Sequence, residues 1–214
     1  HHHRLHRYMV DLMSPEPKYH GAHSLSEIEK CDFRIFVYRD PAERAASLFI
    51  NKIIMDTGNR DILQNIAYLT SSDPWDLCFD KFVKCYLSKP AQEMDGHTWS
   101  QYSHLKPIHY THAIYLHHLK DKMSIIIGKN KANTFFGQKI NSSGRESEKN
   151  FNKASTITAR ELNRIWLRDG VRPTTHQLIS KELRDTLNFI YSDDVDMIKK
   201  IKSYAAEYLN YGYF

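Results

Sequence analysis

Arg39 and Ser47 belong to a string, Arg39-Asp40-Pro41-x-x-Arg44-x-x-Ser47, whose residue types and spacing suit the binding of an oxyanion. A guanidinium offers an anion two parallel N–H donors, and a hydroxyl adds another. The elements around them would have to aim them. Phe33, Ile35 and Val37 alternate with Arg34, Phe36 and Tyr38, and the second set is mostly aromatic, which predicts a strand packed on both faces. Asp40 then reads as an N-cap, Pro41 as the first helical residue and Glu43 as an acidic first turn, with Ala45, Leu48, Phe49 and Lys52 following at helical spacing. A strand that runs through Arg39 and Asp40 into a helix puts exposed backbone N–H groups and the positive end of the helix dipole at the strand's carboxyl end. Such a turn is an anion site, most aptly for a phosphate.

The same string, set after a hydrophobic strand, resembles the 3′-phosphate-binding motif of the PAPS-dependent sulfotransferases. It is closest to the carbohydrate branch, Golgi-type and bacterial, where the string runs much as VRDPxERxxS. The resemblance extends from about His20 to Ile201 and implies that Arg39 and Ser47 hold the 3′-phosphate of 3′-phosphoadenosine 5′-phosphosulfate (PAPS). Relatives carry a Gly-His or His-x-His stretch shortly before this strand, which offers the base for the acceptor hydroxyl. Tyr19-His20-Gly21-Ala22-His23 is similar in placement, with one extra residue between Gly21 and His23. It implies His23 as the catalytic base, with His20 as its neighbour. An imidazole is apt, because its unperturbed pKa of about 6.5 lets it take a proton near neutral pH.

Asp95-Gly96-His97-Thr98-Trp99-Ser100-Gln101 looks like a DxHWxxQ-type segment of the same relatives. An imidazole and an indole on a loop can line a sugar site, since rings stack on pyranose faces while polar groups read hydroxyls. His97 is accordingly the second catalytic candidate, expected to orient the acceptor while His23 acts as base. The alternative for Trp99 is a plug in the core. Arg145, in the polar stretch Gly144 to Ser155 that reads as a mobile flap, is a candidate for the nucleotide or an acidic acceptor. Asn141-Ser142-Ser143 resembles an Asn-x-Ser stretch near the nucleotide in relatives, and is also a glycosylation sequon. Tyr191-x-x-Asp194 resembles the family's closing Tyr-x-x-Asp pattern, with packing as its expected duty.

Other chemistries fit less well. His104, His109, His112, His117 and His118 invite a metal, but there is no His-Glu-x-x-His and no paired Cys-x-x-Cys, and the adjacent His117 and His118 would face different ways on any regular element. No metal is expected. Lys plus Arg exceeds Asp plus Glu by 30 − 25 = 5, which suits an anionic partner without choosing one. The basic residues are scattered rather than striped and no nucleic-acid signature stands among them, so a nucleic-acid-binding module is the weaker alternative. Cys31, Cys78 and Cys85 are too few and odd in number for a disulfide scaffold and suit a reducing compartment.

With 214 residues, 41% of them hydrophobic and 26% charged, the chain can form one soluble globular domain over 1–214, His1 to His3 being read as a tag remnant. No apolar run of about 18 residues predicts a membrane span, and no signal peptide is visible. Leu5, Tyr8, Met9, Leu12 and Met13 mark a helical face stopped at Ser14-Pro15, and Ser24 with Glu27 makes a capping box for a short helix. A helix over Asp61 to Leu69 follows, then a longer one from Asp73-Pro74 whose buried stripe is Trp75, Phe79, Phe82, Val83, Tyr86 and Leu87. Ala113 to Leu116 reads as a strand and His118 to Ile127 as a helix closed by Gly128. Leu162, Ile165 and Trp166 mark a helix ending at Gly170, Ser180 caps another, and Asp194 opens the last.

The fold class expected is α/β: a short parallel sheet flanked by helices, of the nucleotide-kinase-like sulfotransferase type. The family's first strand and phosphosulfate loop, a string such as PKxGxTS, have no counterpart in these 214 residues. A chain that continues upstream of His1 is expected, with a catalytically inactive nucleotide-binding relative as the alternative. The implied reaction is sulfuryl transfer from PAPS to a carbohydrate hydroxyl, in the cytoplasm for a bacterial-type enzyme or in the Golgi lumen if an anchor precedes the chain.

Overall fold

A computed structural model describes residues 8–11, 18–21, 24–55, 60–137, 145–146 and 151–210. In chain order its first elements are β1 (Tyr8–Asp11), β2 (Lys18–Gly21), α1 (Leu25–Glu29), β3 (Ile35–Tyr38), α2 (Pro41–Leu48), α3 (Arg60–Thr70) and α4 (Phe79–Lys81). Then come β4 (His112–Tyr115), α5 (Leu119–Ile127), α6 (Lys129–Phe136), β5 (Arg145–Glu146), α7 (Ala159–Asp169) and β6 (Val171–Arg172), and last α8 (Thr175–Leu178), α9 (Lys181–Ile190) and α10 (Ser192–Asn210). Helices predominate around short strand pairs, and β3 with β4 forms a parallel pair, which is the α/β class expected. Among the described residues no helix is long and apolar enough to cross a membrane. Two compact units emerge, 1–39 with 105–141 and 40–104 with 142–214.

In the first unit β3 and β4 run in register from Ile35↔His112 to Tyr38↔Tyr115. Ile114, Met123 and Ala132 are buried together, with Ile35, Leu119, Ile126, Ile127 and Phe136 against them, so the alternation of the strands and the apolar stripes of α5 and α6 build one small core. Gly128, at φ +86, separates those two helices in a conformation that side chains disfavour. Arg34 locks the strand's start: its Nε donates to His109 O at 2.6 Å and its Nη1 to Glu29 O at 2.9 Å and Cys31 O at 2.7 Å. The strand is not packed on both faces, as Val37 is 38% exposed and Phe33 45%. Only β4 pairs with β3 among the described residues, so the strand lacks the second neighbour that full burial would need.

The helix expected over Leu5 to Met13 is corrected. Tyr8–Asp11 is a strand, antiparallel to Lys18–Gly21 in the register Tyr8↔Gly21 to Asp11↔Lys18. A short apolar run fits either period, and pairing with a second segment decided it. The Ser24 capping box does form, Glu27 N donating to Ser24 Oγ at 3.3 Å while Ser24 N donates to Glu27 Oε2 at 2.9 Å.

The second unit is built on rings and aliphatic residues at helical spacing. α2 passes into a wider π-helical stretch, Phe49–Ile54, that buries Phe49, Ile50, Ile53 and Ile54. The Phe49 ring lies 5.4 Å from Phe79 and 5.3 Å from Phe82, whose ring in turn lies 5.4 Å from Tyr86. The stripe read from the sequence is therefore core: Phe79, Phe82, Val83, Tyr86 and Leu87 are all buried, Trp75 partly. The helix carrying it is interrupted, however. Asp73 caps a single turn, Pro74–Asp76, and Leu77 and Cys78 then extend, Leu77 O accepting from Ala159 N at 2.8 Å, before α4 and its π-helical continuation Phe82–Tyr86.

α7 ends at Gly170 in the left-handed region, α9 is capped by Ser180, and α10 begins at Ser192, two residues ahead of the expected Asp194. The described end of the expected flap is not surface loop. Phe151 and Ala154 are buried in the core, because a phenylalanine and an alanine amid polar residues are its only apolar groups able to dock.

Candidate functional site

α2 starts where its sequence says it should. Asp40 Oδ1 accepts from Glu43 N at 2.9 Å, a side-chain N-cap, and Pro41 occupies the first turn, where its missing N–H costs nothing. The same carboxylate faces Arg184 of α9, whose Nη1 stands 3.2 Å from Oδ2 and 3.3 Å from Oδ1. Asp40 thus fixes the helix start twice, by cap and by ion pair. Arg39, half-buried, follows β3 directly and closes the first unit, and Ser47, half-buried on α2, accepts from Asn51 Nδ2 at 3.4 Å in the second.

Arg44 turns out to serve the loop after the aromatic stripe. Its Nη2 donates to His97 O at 2.9 Å. Asp95, with its side chain 4% exposed, caps the turn Gly96–Thr98: Oδ1 accepts from His97 N at 2.9 Å and lies 2.7 Å from the Nδ1 of the same residue. The His97 side chain is 54% exposed. Asp95 N donates to Asn65 Oδ1 at 2.9 Å and Tyr86 O–H also donates to that oxygen at 2.6 Å, so the carboxylate grows out of the packed core. Burial pushes the Tyr86 phenol up to about 12, which keeps it a hydrogen-bond donor at physiological pH.

The far side of the loop is clasped by the carboxyl-terminal helices. Tyr191 O–H donates to Thr98 O at 2.8 Å, and burial raises the pKa of this phenol as well. Asp194, fully buried, accepts from Tyr102 N at 2.8 Å and Gln101 Nε2 at 3.2 Å. Trp99 is only part-buried: its Nε1 donates to Met94 O at 3.1 Å, and its ring stacks at 6.0 Å on His104. His97 is held from four directions, by Arg44 on its carbonyl, Asp95 on its ring and N–H, and Tyr191 and Asp194 on the residues that follow.

Of the residues singled out from the sequence, Ser47, His97 and Arg145 fall in the second unit and Arg39 in the first. Arg145 lies on β5, whose backbone pairs in parallel with Val171–Arg172. His23 lies outside the described residues. Among those described, no group of histidine, cysteine and acidic side chains could hold a metal ion. Sequence reasoning missed Asp95 and Arg44 as the partners of His97. An Asp two residues before a histidine at the start of a turn was the available signal for the first, since a capping carboxylate there reaches that residue's N–H. Nothing local signals the second.

The family model described as "Sulfotransferase family" matches residues 1–199. No curated protein and no solved structure matches the chain.

Proposed function

The chain belongs to the sulfotransferase family, whose reaction is sulfuryl transfer, and from that premise we propose that it moves the sulfuryl group of PAPS to a hydroxyl of a carbohydrate. The observation that carries the donor is the start of α2. The string read as a phosphate motif does lie across a strand and a helix, with Arg39 at the end of β3 and Asp40 capping α2 at 2.9 Å. The residue types and spacing of the string support Arg39 and Ser47 as ligands of the 3′-phosphate, with the dipole of α2 adding to the attraction and Arg145 as a further cation for the nucleotide. The loop around His97 and Trp99 supports a sugar acceptor, because it carries an exposed imidazole and a part-buried indole two residues apart. His97 and His23 are the groups proposed to serve the acceptor hydroxyl.

Catalysis then rests on position and charge. The hydroxyl oxygen attacks sulfur in line with the departing phosphate oxygen, a histidine takes the hydroxyl's proton, and cations stabilise the charge that collects on the leaving phosphate. Thermal denaturation tests the donor. Adenosine 3′,5′-bisphosphate should raise the melting temperature of the wild-type protein, and 5′-AMP, which lacks the 3′-phosphate, should do little. Equal shifts from the two nucleotides would remove the ground for the assignment.

A further inference from the structure

We propose that Asp95 is a positioning residue for His97: it fixes the imidazole as the Nδ1–H tautomer and leaves Nε2 to take the acceptor's proton. The inference deepens the sulfuryl-transfer reading above and rests on it. A carboxylate is an acceptor only, so the 2.7 Å approach of Asp95 Oδ1 to His97 Nδ1 requires that nitrogen to carry the hydrogen. The ring's lone pair is then on Nε2, on a side chain 54% exposed, while Asp95 stays 4% exposed. A buried carboxylate that orients an exposed imidazole is the arrangement by which a histidine is kept in the tautomer fit for general-base work.

The support is built rather than incidental. Asp95 Oδ1 also accepts the His97 N–H at 2.9 Å, Arg44 holds the His97 carbonyl at 2.9 Å, and Asn65 holds the Asp95 N–H at 2.9 Å. Backbone and ring of His97 therefore move as one body with the core beneath them. In the reaction, the hydroxyl oxygen forms its bond to sulfur as Nε2 takes the hydroxyl's proton. The bond between sulfur and the donor's phosphate oxygen breaks, and its electron pair leaves with that oxygen. No oxidation state changes.

Two measurements test this. In protein labelled with ¹⁵N at histidine, the neutral His97 ring should show a protonated Nδ1 and a bare Nε2, and Asp95→Ala should release it to the tautomer mixture of a free imidazole. A wild-type ring protonated at Nε2 overturns the proposal, whatever the substrate proves to be. With PAPS as donor and desulfated chondroitin as the acceptor probe, His97→Ala should lower kcat by about 10²–10⁴-fold. Asp95→Ala removes the oxygen that holds both the ring Nδ1–H and the His97 N–H. It should lower kcat nearly as far with KM little changed, and Asp95→Glu should recover part of the loss. Unchanged kcat in Asp95→Ala overturns the proposal, while turnover that persists in His97→Ala gives the proton to another base and does the same. If wild-type protein neither turns over this probe nor is stabilised by adenosine 3′,5′-bisphosphate, the substrate reading fails, and the ring spectrum still decides the role of Asp95.

Discussion

Arg39 and Arg44 look alike in the sequence, and the structure separates them by what surrounds each. Arg44 Nη2 is engaged with the carbonyl of His97, a bond within one unit that fixes a turn. Arg39 closes β3 in the other unit, at the strand's carboxyl end, the usual ligand side of an α/β sheet. The proposed roles therefore differ in a measurable way. Arg39→Ala should weaken binding of adenosine 3′,5′-bisphosphate, measured by titration calorimetry, by ten- to a hundredfold, the equivalent of a lost charge-assisted contact of about 1.5–3 kcal/mol. Arg44→Ala should change that affinity by less than about threefold and instead lower kcat through a looser His97. The reverse pattern would show Arg44 to be the phosphate ligand. Residue types were legible here because a guanidinium, a hydroxyl and an imidazole announce their chemistry wherever they stand. Duties were not, because the carbonyl that Arg44 meets is contributed by a loop 53 residues further along the chain.

Elements were most legible where their stabilisation is local. The caps at Ser24, Asp40, Asp73 and Ser180 each satisfy an N–H two or three residues ahead, so the residue type alone gave the helix or turn start. Tyr8–Asp11 is a strand where its apolar spacing also fits a helix, because its stabilisation comes from β2, a partner outside the segment. The closing Tyr191 and Asp194 were expected to pack, and they do. Their additional work, hydrogen bonds to Thr98, Gln101 and Tyr102, spans a separation of 92 or 93 residues. It predicts a graded response at Asp194. Asp194→Ala removes the acceptor shared by the Tyr102 N–H and the Gln101 amide and should cost about 2–5 kcal/mol in urea denaturation. Asp194→Asn should cost clearly less, since its carbonyl can keep the Tyr102 N–H while the Gln101 amide turns its oxygen toward the new NH₂. Equal stability of Ala, Asn and wild type would mean that the clasp contributes nothing to the fold.

At the scale of the whole chain, the buried aromatic stripe was readable because large apolar residues at helical spacing have few places to go but the core. The division into two compact units was less so: of its three borders only the one between Asn141 and Ser142 falls in a Ser- and Gly-containing stretch, while those between Arg39 and Asp40 and between His104 and Leu105 carry no such mark. What the core does to its polar groups leads to a prediction about alkaline pH. Burial raises the phenol of Tyr86 from 10.0 to about 12, and it raises that of Tyr191 too. Below pH 10 both phenols are protonated in folded and unfolded chains alike and stability does not depend on them. Above it the unfolded chain releases these protons while the native state retains them, so the native state binds more protons and stability must fall as pH rises. Each of the two tyrosines should contribute a slope of about 1.4 kcal/mol per pH unit between pH 10 and 12. Urea midpoints taken at intervals from pH 9 to 11.5 measure the sum. Tyr86→Phe should flatten the decline, at a cost near neutral pH of about 1 kcal/mol for each lost bond, the one to Asn65 Oδ1 and the one the hydroxyl accepts from Asp95 N at 3.1 Å. Because Asp95 N also bonds to Asn65, that loss should leave the His97 turn formed and its ring tautomer unchanged. A Tyr86→Phe protein that declined as steeply as wild type would mean that the phenol ionises in the native state as easily as in the unfolded chain, and that the ground beneath Asp95 is wetter than its burial implies.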